Sequence, residues 1–574
     1  MISKKPKLLI LRPPLELVSS HFRDAGFLNR EKGIKAFFDV SLIEENFDLK
    51  ILISQYQPDL ILFVNYPSCH KNLFQVKNID FADGILKAGL TVEDSFSPVR
   101  WNSIYTLMNL KVDAFFTNDT SFANYYPAIK DQLYHWHEFF DPAVFKNYES
   151  EKKWDVLLCG SFKSLNYPWR RKILPLIKEH FNYHELIHWD RDNSDSERKS
   201  VIKEEFSKVI NAARIVPACG GYNKIWIGKM MEIPASFACL VTEESETMKS
   251  MGFVDGYNCV FADETNFVEK VKYLLSNPDL LYQITKNGYD HVRENHIAEN
   301  RSEIYDWYCL AKQIGNDEKI IQTSLCKGLE ITKKTNTQVN FHIYDAVPPL
   351  ICKQGDLLLF EDKLQEAELI YQKLLQFDSY AANTCIRLSL LYLFKGKFKV
   401  AIRTFHKLLE VELGMAKGEC IDPVELFVLL LILIIQGKYS FANKILLANY
   451  VDDSLHLDFI AFLIDVATNQ PLRVSYRDIC QKKYQFKSSH EFLNKNSDGI
   501  LSFIKLLLKR TGKVSLLKSI EKRVQEQNSM REIRREDNSH IWRLVDEFVF
   551  KMTFMEKIDF YKKRLFKRNY LLNN

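Results

Sequence analysis

The 574-residue sequence has no long hydrophobic run, no closely spaced cysteines and little net charge. Its longest apolar run, Leu426 to Ile435, is ten residues. A membrane-spanning helix needs roughly 20, so no such span is expected. At the N-terminus, MISKKPKLLILRPP has too short an apolar stretch for a signal-peptide core and reads as a first strand. Eleven cysteines occur, no two closer than seventeen residues, which excludes zinc-finger and dithiol spacings. An odd, scattered set reads as reduced, buried thiols and points to the cytoplasm. The net charge of +5 hides an asymmetry: Leu501–Asn574 carries 18 Lys+Arg against 9 Asp+Glu, which leaves the preceding chain slightly acidic.

What is present is alternation. Residues 1–150 give short apolar runs (Lys7–Leu11, Leu60–Val64, Asp113–Thr117) separated by helix-like segments. A second set opens at Trp154 with WDVLLCGSFKSLNYPWRRK and runs through Phe237–Val241 and Cys259–Phe261 to about residue 315. Strands alternating with helices predict two doubly wound parallel sheets, whose ligands lie beyond the carboxyl ends of the strands. In the second set a Gly160-Ser161 turn precedes Lys163 and Arg170, and Gly220-Gly221 precedes Lys229 and Glu232. Glycine lets backbone approach a phosphate closely, and the cations can neutralise it. Arg170 with its basic neighbours also fits a solvated helix start, and Glu232 alone also fits a helix-capping carboxylate. The triplet Asp190-Arg191-Asp192 imitates a metal-binding Asp-x-Asp, but its Ser/Asp/Glu-rich setting reads as a solvated loop.

Lys229-x-x-Glu232-Ile-Pro-Ala, an apolar strand, Gly-Phe-x-Asp-Gly-x-Asn, Asn-Pro-Asp and His296-x4-Arg301 together resemble the C-terminal half of GT-B glycosyltransferases, in particular the spore-protein CgeB-like group. The resemblance covers roughly residues 5–312. It implies a nucleotide-sugar donor with no tightly bound cofactor and no metal. Glu232 is then on the ribose, with Lys229, Lys163, Arg170 and the Gly160, Ser161, Gly220 and Gly221 backbone on the diphosphate. It implies an acid or histidine of the first domain facing the cleft; Asp94 and His137 are the candidates for the group that takes the acceptor's proton. Glu93, Asp119 and His135 share that context; acids at strand ends also cap helices, and a histidine beside tryptophan also fits interdomain packing. Two positions depart from the family: Lys224 stands where many retaining relatives have Glu, and Phe237 where most have Gly. Retention or inversion at the sugar carbon stays open.

After a linker at 316–350 the period changes. Ala367-x3-Tyr371-x2-Leu374-Leu375 recurs 34 residues later as Ala401-x3-Phe405-x2-Leu408-Leu409, a tetratricopeptide-like signature over 351–450; a third unit starts at Gly437. Such arrays bind peptide or protein segments, so the repeats are expected to hold a protein or glycan acceptor or a protein partner. Residues 451–574 read as helical, with phenylalanines and seven Lys+Arg between Lys551 and Arg568. That end fits a basic capping helix or a helix lying on the inner membrane surface. No nucleic-acid-binding module accompanies the charge. Three functions fit: a cytoplasmic glycosyltransferase, a non-catalytic scaffold, and a peripheral enzyme of polysaccharide assembly.

Overall fold

The computed structural model describes residues 4–14, 29–65, 76–91, 100–160, 165–186, 203–325, 328–377, 382–416, 421–449, 454–482, 484, 493 and 496–532. Two parallel Rossmann-like sheets are followed by an all-helical region. The first sheet contains β1 (Lys7–Leu11), β2 (Asp39–Ile43), β3 (Leu60–Asn65), β4 (Leu86–Thr91), β5 (Ala114–Thr117) and β6 (Leu133–His135), in the order β2-β1-β3-β4-β5-β6. The second contains β7 (Trp154–Leu158), β8 (Tyr183–Glu185), β9 (Ala213–Pro217), β10 (Cys239–Thr242) and β11 (Val260–Phe261), in the order β11-β10-β9-β7-β8. Leu8–Leu11 and Ala114–Thr117 are buried throughout, as strands covered by helices on both faces must be. Gly89 in β4 admits the Arg100–Asn109 helix: a Cβ there would lie 2.8 Å from Leu107.

Each sheet reverses direction once in its strand order, between β1 and β3 and between β7 and β9. Such a reversal opens a crevice at the strands' carboxyl ends. The second crevice is therefore walled by the residues after β7 and β9, which are Cys159-Gly160 and Ala218-Cys219-Gly220-Gly221.

The junction between the sheets is tied at several points. Phe140 N donates to His296 O at 3.3 Å, and Trp136 Nε1 donates to Arg301 O at 3.2 Å. Tyr125 OH meets Asn223 Oδ1 at 2.6 Å. The Glu303–Ala311 helix returns the chain to the first sheet and buries Ile304, Trp307 and Tyr308 there.

Residues 316–350 hold an antiparallel hairpin of β12 (Glu318–Gln322) and β13 (Leu329–Lys333). The Gln322 side chain accepts from His135 N at 2.8 Å and donates to His135 O at 3.0 Å, closing the open edge of β6 as a strand would. Beyond it, Asn340 Nδ2 donates to Leu133 O at 3.1 Å, whereas Phe341 and Ile343 pack into the core of the second domain. This segment thus straps both sheets.

Among the described residues from Val347 onward every element is helical, with one core running from Leu359 to Val524. A residue of positive φ follows the end of a helix at Asp362, Gly396, Gly437, Asn469 and Gly512. Each turn carries the same pair of backbone bonds, for example Gly396 N to Leu393 O and Lys397 N to Tyr392 O. This is the Schellman ending that left-handed residues permit. Ala367, Tyr371, Ala401, Phe405 and Ala442 are fully buried between the paired helices. No helix among the described residues is long and apolar enough to cross a membrane.

Candidate functional site

The site builds outward from the crevice between β7 and β9. Gly160 has φ +95, a conformation that favours glycine, and a Cβ there would lie 3.0 Å from Arg170 Nη1 and 3.3 Å from Lys229 Cε. Two cations from different helices therefore converge on one turn of bare backbone. Arg170 comes from the Pro168–His180 helix, which Pro168 starts at a position where its missing N–H costs nothing. It is buried, stacked 4.1 Å over the Tyr167 ring, and donates to Cys219 O at 2.8 Å. That bond ties the Gly160 wall of the crevice to the Gly220-Gly221 wall. Gly221, at φ +69, has no room for a Cβ, which would meet Asn166 O at 2.5 Å.

Lys229 begins the short Lys229–Ala235 helix, and Glu232 lies one turn along it. Burial pushes the Glu232 carboxyl up to about 7; Lys229 opposes that rise and Glu138 adds to it. Glu232 Oε1 and Glu138 Oε2 flank Gly228, at 3.4 and 3.5 Å from the position a Cβ would take there. Glu138 belongs to the junction and was not singled out by the sequence reading.

Lys224, at φ +54, pairs with Glu243 at 2.7 Å in a largely buried contact. Phe237 adopts φ +58 immediately after the Lys229–Ala235 helix, so both departures from the family pattern sit in left-handed backbone. His296 and Arg301 form a buried lock at the junction, with Arg301 Nη2 2.5 Å from His296 Nδ1 and Nη1 2.9 Å from Glu303 Oε1. His137 lies in the same junction, fully buried and stacked at 5.7 Å on His135. Burial first, then Arg301, holds its pKa well below the ordinary histidine value, so it is neutral at pH 7. Asp119 accepts from both the backbone and the hydroxyl of Ser121, at 2.7 Å each, and so caps a local turn.

The crevice thus gathers Gly160, Arg170, Gly220, Gly221, Lys229 and Glu232. Glu93, Asp94, Ser161, Lys163, Asp190 and Asp192 lie outside the described residues, as does the basic end from Lys551 to Arg568. Among the described residues, no three His, Cys, Asp or Glu side chains gather as a metal would require.

Two doubly wound sheets stand in tandem, and cations line the crevice of the second. Residues 146–305 match a protein-family model described as glycosyl transferase-like. Among solved structures, a sucrose-phosphate synthase from Thermosynechococcus elongatus is 10% identical over 54% of this chain and 100% of its own, with a TM-score of 0.36. A glycosyltransferase from Rickettsia africae is 10% identical over 53% and 99%, with a TM-score of 0.36. HepE from Anabaena, solved with UDP and glucose, is 10% identical over 53% and 100%, with a TM-score of 0.34. A comparison with curated proteins returned no match.

Proposed function

We propose that the protein is a CgeB-like glycosyltransferase that moves a sugar, of hexose type, from a nucleoside-diphosphate donor to a protein or glycan acceptor. The observation that carries this reading is the convergence of Arg170 and Lys229 on Gly160, with the Glu232 carboxyl beside them. In transfer, the acceptor oxygen attacks the anomeric carbon and the nucleoside diphosphate leaves with the bonding electrons. Lys229, Arg170 and Lys163 neutralise the departing diphosphate, so no metal is needed. Glu232 accepts hydrogen bonds from the ribose, and the Gly160, Ser161, Gly220 and Gly221 backbone lies along the phosphates. The acceptor's proton passes to a group of the first domain, Asp94 or His137.

The paired helices from Val347 onward act as a tetratricopeptide-like array that holds the acceptor or a partner protein, and the enzyme works in the cytoplasm. The basic end is the candidate contact with a membrane surface. One observation favours a second reading, a scaffold without catalysis: Lys224 replaces a family carboxylate and is tied to Glu243. Hydrolysis of UDP-, GDP- and ADP-sugars by the purified protein separates the two. Slow release of free sugar that survives EDTA supports the enzyme. Nucleotide binding without turnover on any donor or acceptor supports the scaffold.

A further inference from the structure

Glu138 lies in the chain that leaves β6 for the second domain, one residue past the buried His137. It is held from the side of the first domain. Its Oε1 accepts from Arg30 Nη2 at 3.1 Å and from Asn118 Nδ2 at 3.2 Å. Its Oε2 faces the other way, toward the space above Gly228, where Glu232 Oε1 also points. Two carboxylates, one from each domain, therefore address a single small space that the missing side chain of Gly228 keeps open. Both groups are partly shielded from water, and like charges so placed repel. Burial chiefly raises the Glu232 pKa, and the Glu138 charge adds to that rise. A ligand that brings a hydrogen-bond donor to each carboxylate relieves it.

We infer that Glu138 is a second ligand for the ribose diol of the donor nucleotide, so that the ribose is gripped by one carboxylate from each domain. This rests on the donor-site reading above and adds the first domain to it. A vicinal diol fits better than a cation because Lys229 already supplies positive charge beside Glu232. Two neutral O–H donors on adjacent carbons match two acceptors that converge from opposite sides. Nucleotide binding then draws the domains to a fixed separation.

The test is calorimetric titration of the full chain with uridine, guanosine and adenosine diphosphates, followed by the 2′-deoxy and 3′-deoxy forms of whichever binds. In Glu138→Gln, Oε1 still accepts from Arg30 and an amide N–H replaces Oε2, turning an acceptor into a donor. Losing one hydrogen bond to a charged group weakens ribonucleotide binding about tenfold. The deoxy form lacking the matching hydroxyl binds wild type and variant alike. Glu138→Ala repeats the pattern without a side-chain amide, and thermal unfolding confirms that each variant is folded. Unchanged ribonucleotide affinity in both variants overturns the assignment, as does an equal loss for ribo and deoxy forms. If wild type binds and only the variants' pattern fails, the donor site stands and Glu138 drops out of it. If no nucleoside diphosphate binds wild type, the donor-site reading falls and this role with it.

Discussion

Lys152 Nζ donates to the carbonyl of Phe237 at 2.7 Å, and also to the carbonyls of Asn211 at 2.7 Å and Ala213 at 2.9 Å. The lysine thereby gathers the end of one helix, the start of β9 and the turn after the Lys229–Ala235 helix. Phe237 holds its place in this knot at φ +58, where an L side chain crowds its own backbone. The ring offsets the strain by edge contacts with Tyr282 at 5.8 Å and Tyr289 at 5.4 Å. Phe237→Ala keeps the strain and loses the ring, whereas Phe237→Gly loses the ring and the strain together. The glycine variant is expected to be more stable than the alanine variant by about 1 kcal/mol. Chemical unfolding of the two variants checks this; an alanine variant at least as stable contradicts it.

Glu232 gives the site a pH signature. Its folded pKa is raised from 4.5 to about 7. Between those values the folded chain keeps a proton that the unfolded chain has released. Stability therefore falls as pH rises through that window, and Glu232→Gln flattens the fall. On the proposed role, ribose hydroxyls donate to the ionised carboxylate, so nucleotide affinity should rise with pH through about 7 in wild type and lose that rise in Glu232→Gln. Glu232→Ala should weaken binding by one to two decades, about 1.4 kcal/mol each. Calorimetry at several pH values reads both effects, and an unchanged affinity in the folded alanine variant removes Glu232 from the ribose.

The framework of the crevice was legible because short-range signals carry it. Glycines before cations at Gly160 and Gly220 marked turns at strand ends, and those turns do wall one crevice. Glu138 was not legible. It follows His137 in an extended segment, where neighbouring side chains face opposite ways, and nothing in the sequence says which of the two faces the cleft. The helical turns show the same limit. The recurrence of Ala367 and Tyr371 as Ala401 and Phe405 announced helices there, since alanine and an aromatic recur at buried positions. The turn at Asn469 lacks the glycine that marks its neighbours, although its backbone closes in the same way. The hairpin of Glu318–Gln322 with Leu329–Lys333 read as a linker because β13 is short, mixes polar with apolar residues and buries none of its side chains fully. Its purchase on the first domain comes from the Gln322 side chain together with Ile320, Leu329 and Ile331, too short a set to announce a strand pair.

In the helical region Asp356 accepts from Arg387 through both carboxylate oxygens, at 2.7 and 2.9 Å, and from Tyr371 OH at 2.7 Å. Three successive helices meet in this buried network. Asp356→Ala leaves a buried guanidinium without its partner and should cost about 3–5 kcal/mol. Replacing both charges by apolar groups, Asp356→Leu with Arg387→Met, should recover most of that loss. Thermal unfolding of the three proteins checks the order, and equal stability of the single and double variants contradicts it.

The last prediction concerns where the helical region can be removed. On the sequence alone, a chain ending near Lys333 would keep slow donor hydrolysis and lose transfer to a large acceptor. The strap changes the expected result. Ending at Lys333 removes Asn340, whose amide holds Leu133 O, and strips Phe341 and Ile343 from the core of the second domain. It also removes Asp345, which accepts from Glu246 N at 3.0 Å. Exposing one such apolar side chain costs about 2 kcal/mol, so the domains loosen and nucleotide binding should weaken. Ending at Ala346 keeps the strap and sacrifices only the helices. That chain should retain donor hydrolysis near the full-length rate while losing transfer to a protein or glycan acceptor. The Val347–Phe360 helix packs against Gly221–Asn223, so the comparison also tests whether that contact matters. Equal loss of hydrolysis in both truncated chains, each shown to be folded, would mean that this helix completes the crevice. Equal retention of hydrolysis and transfer by the chain ending at Ala346 would free the helices from acceptor binding.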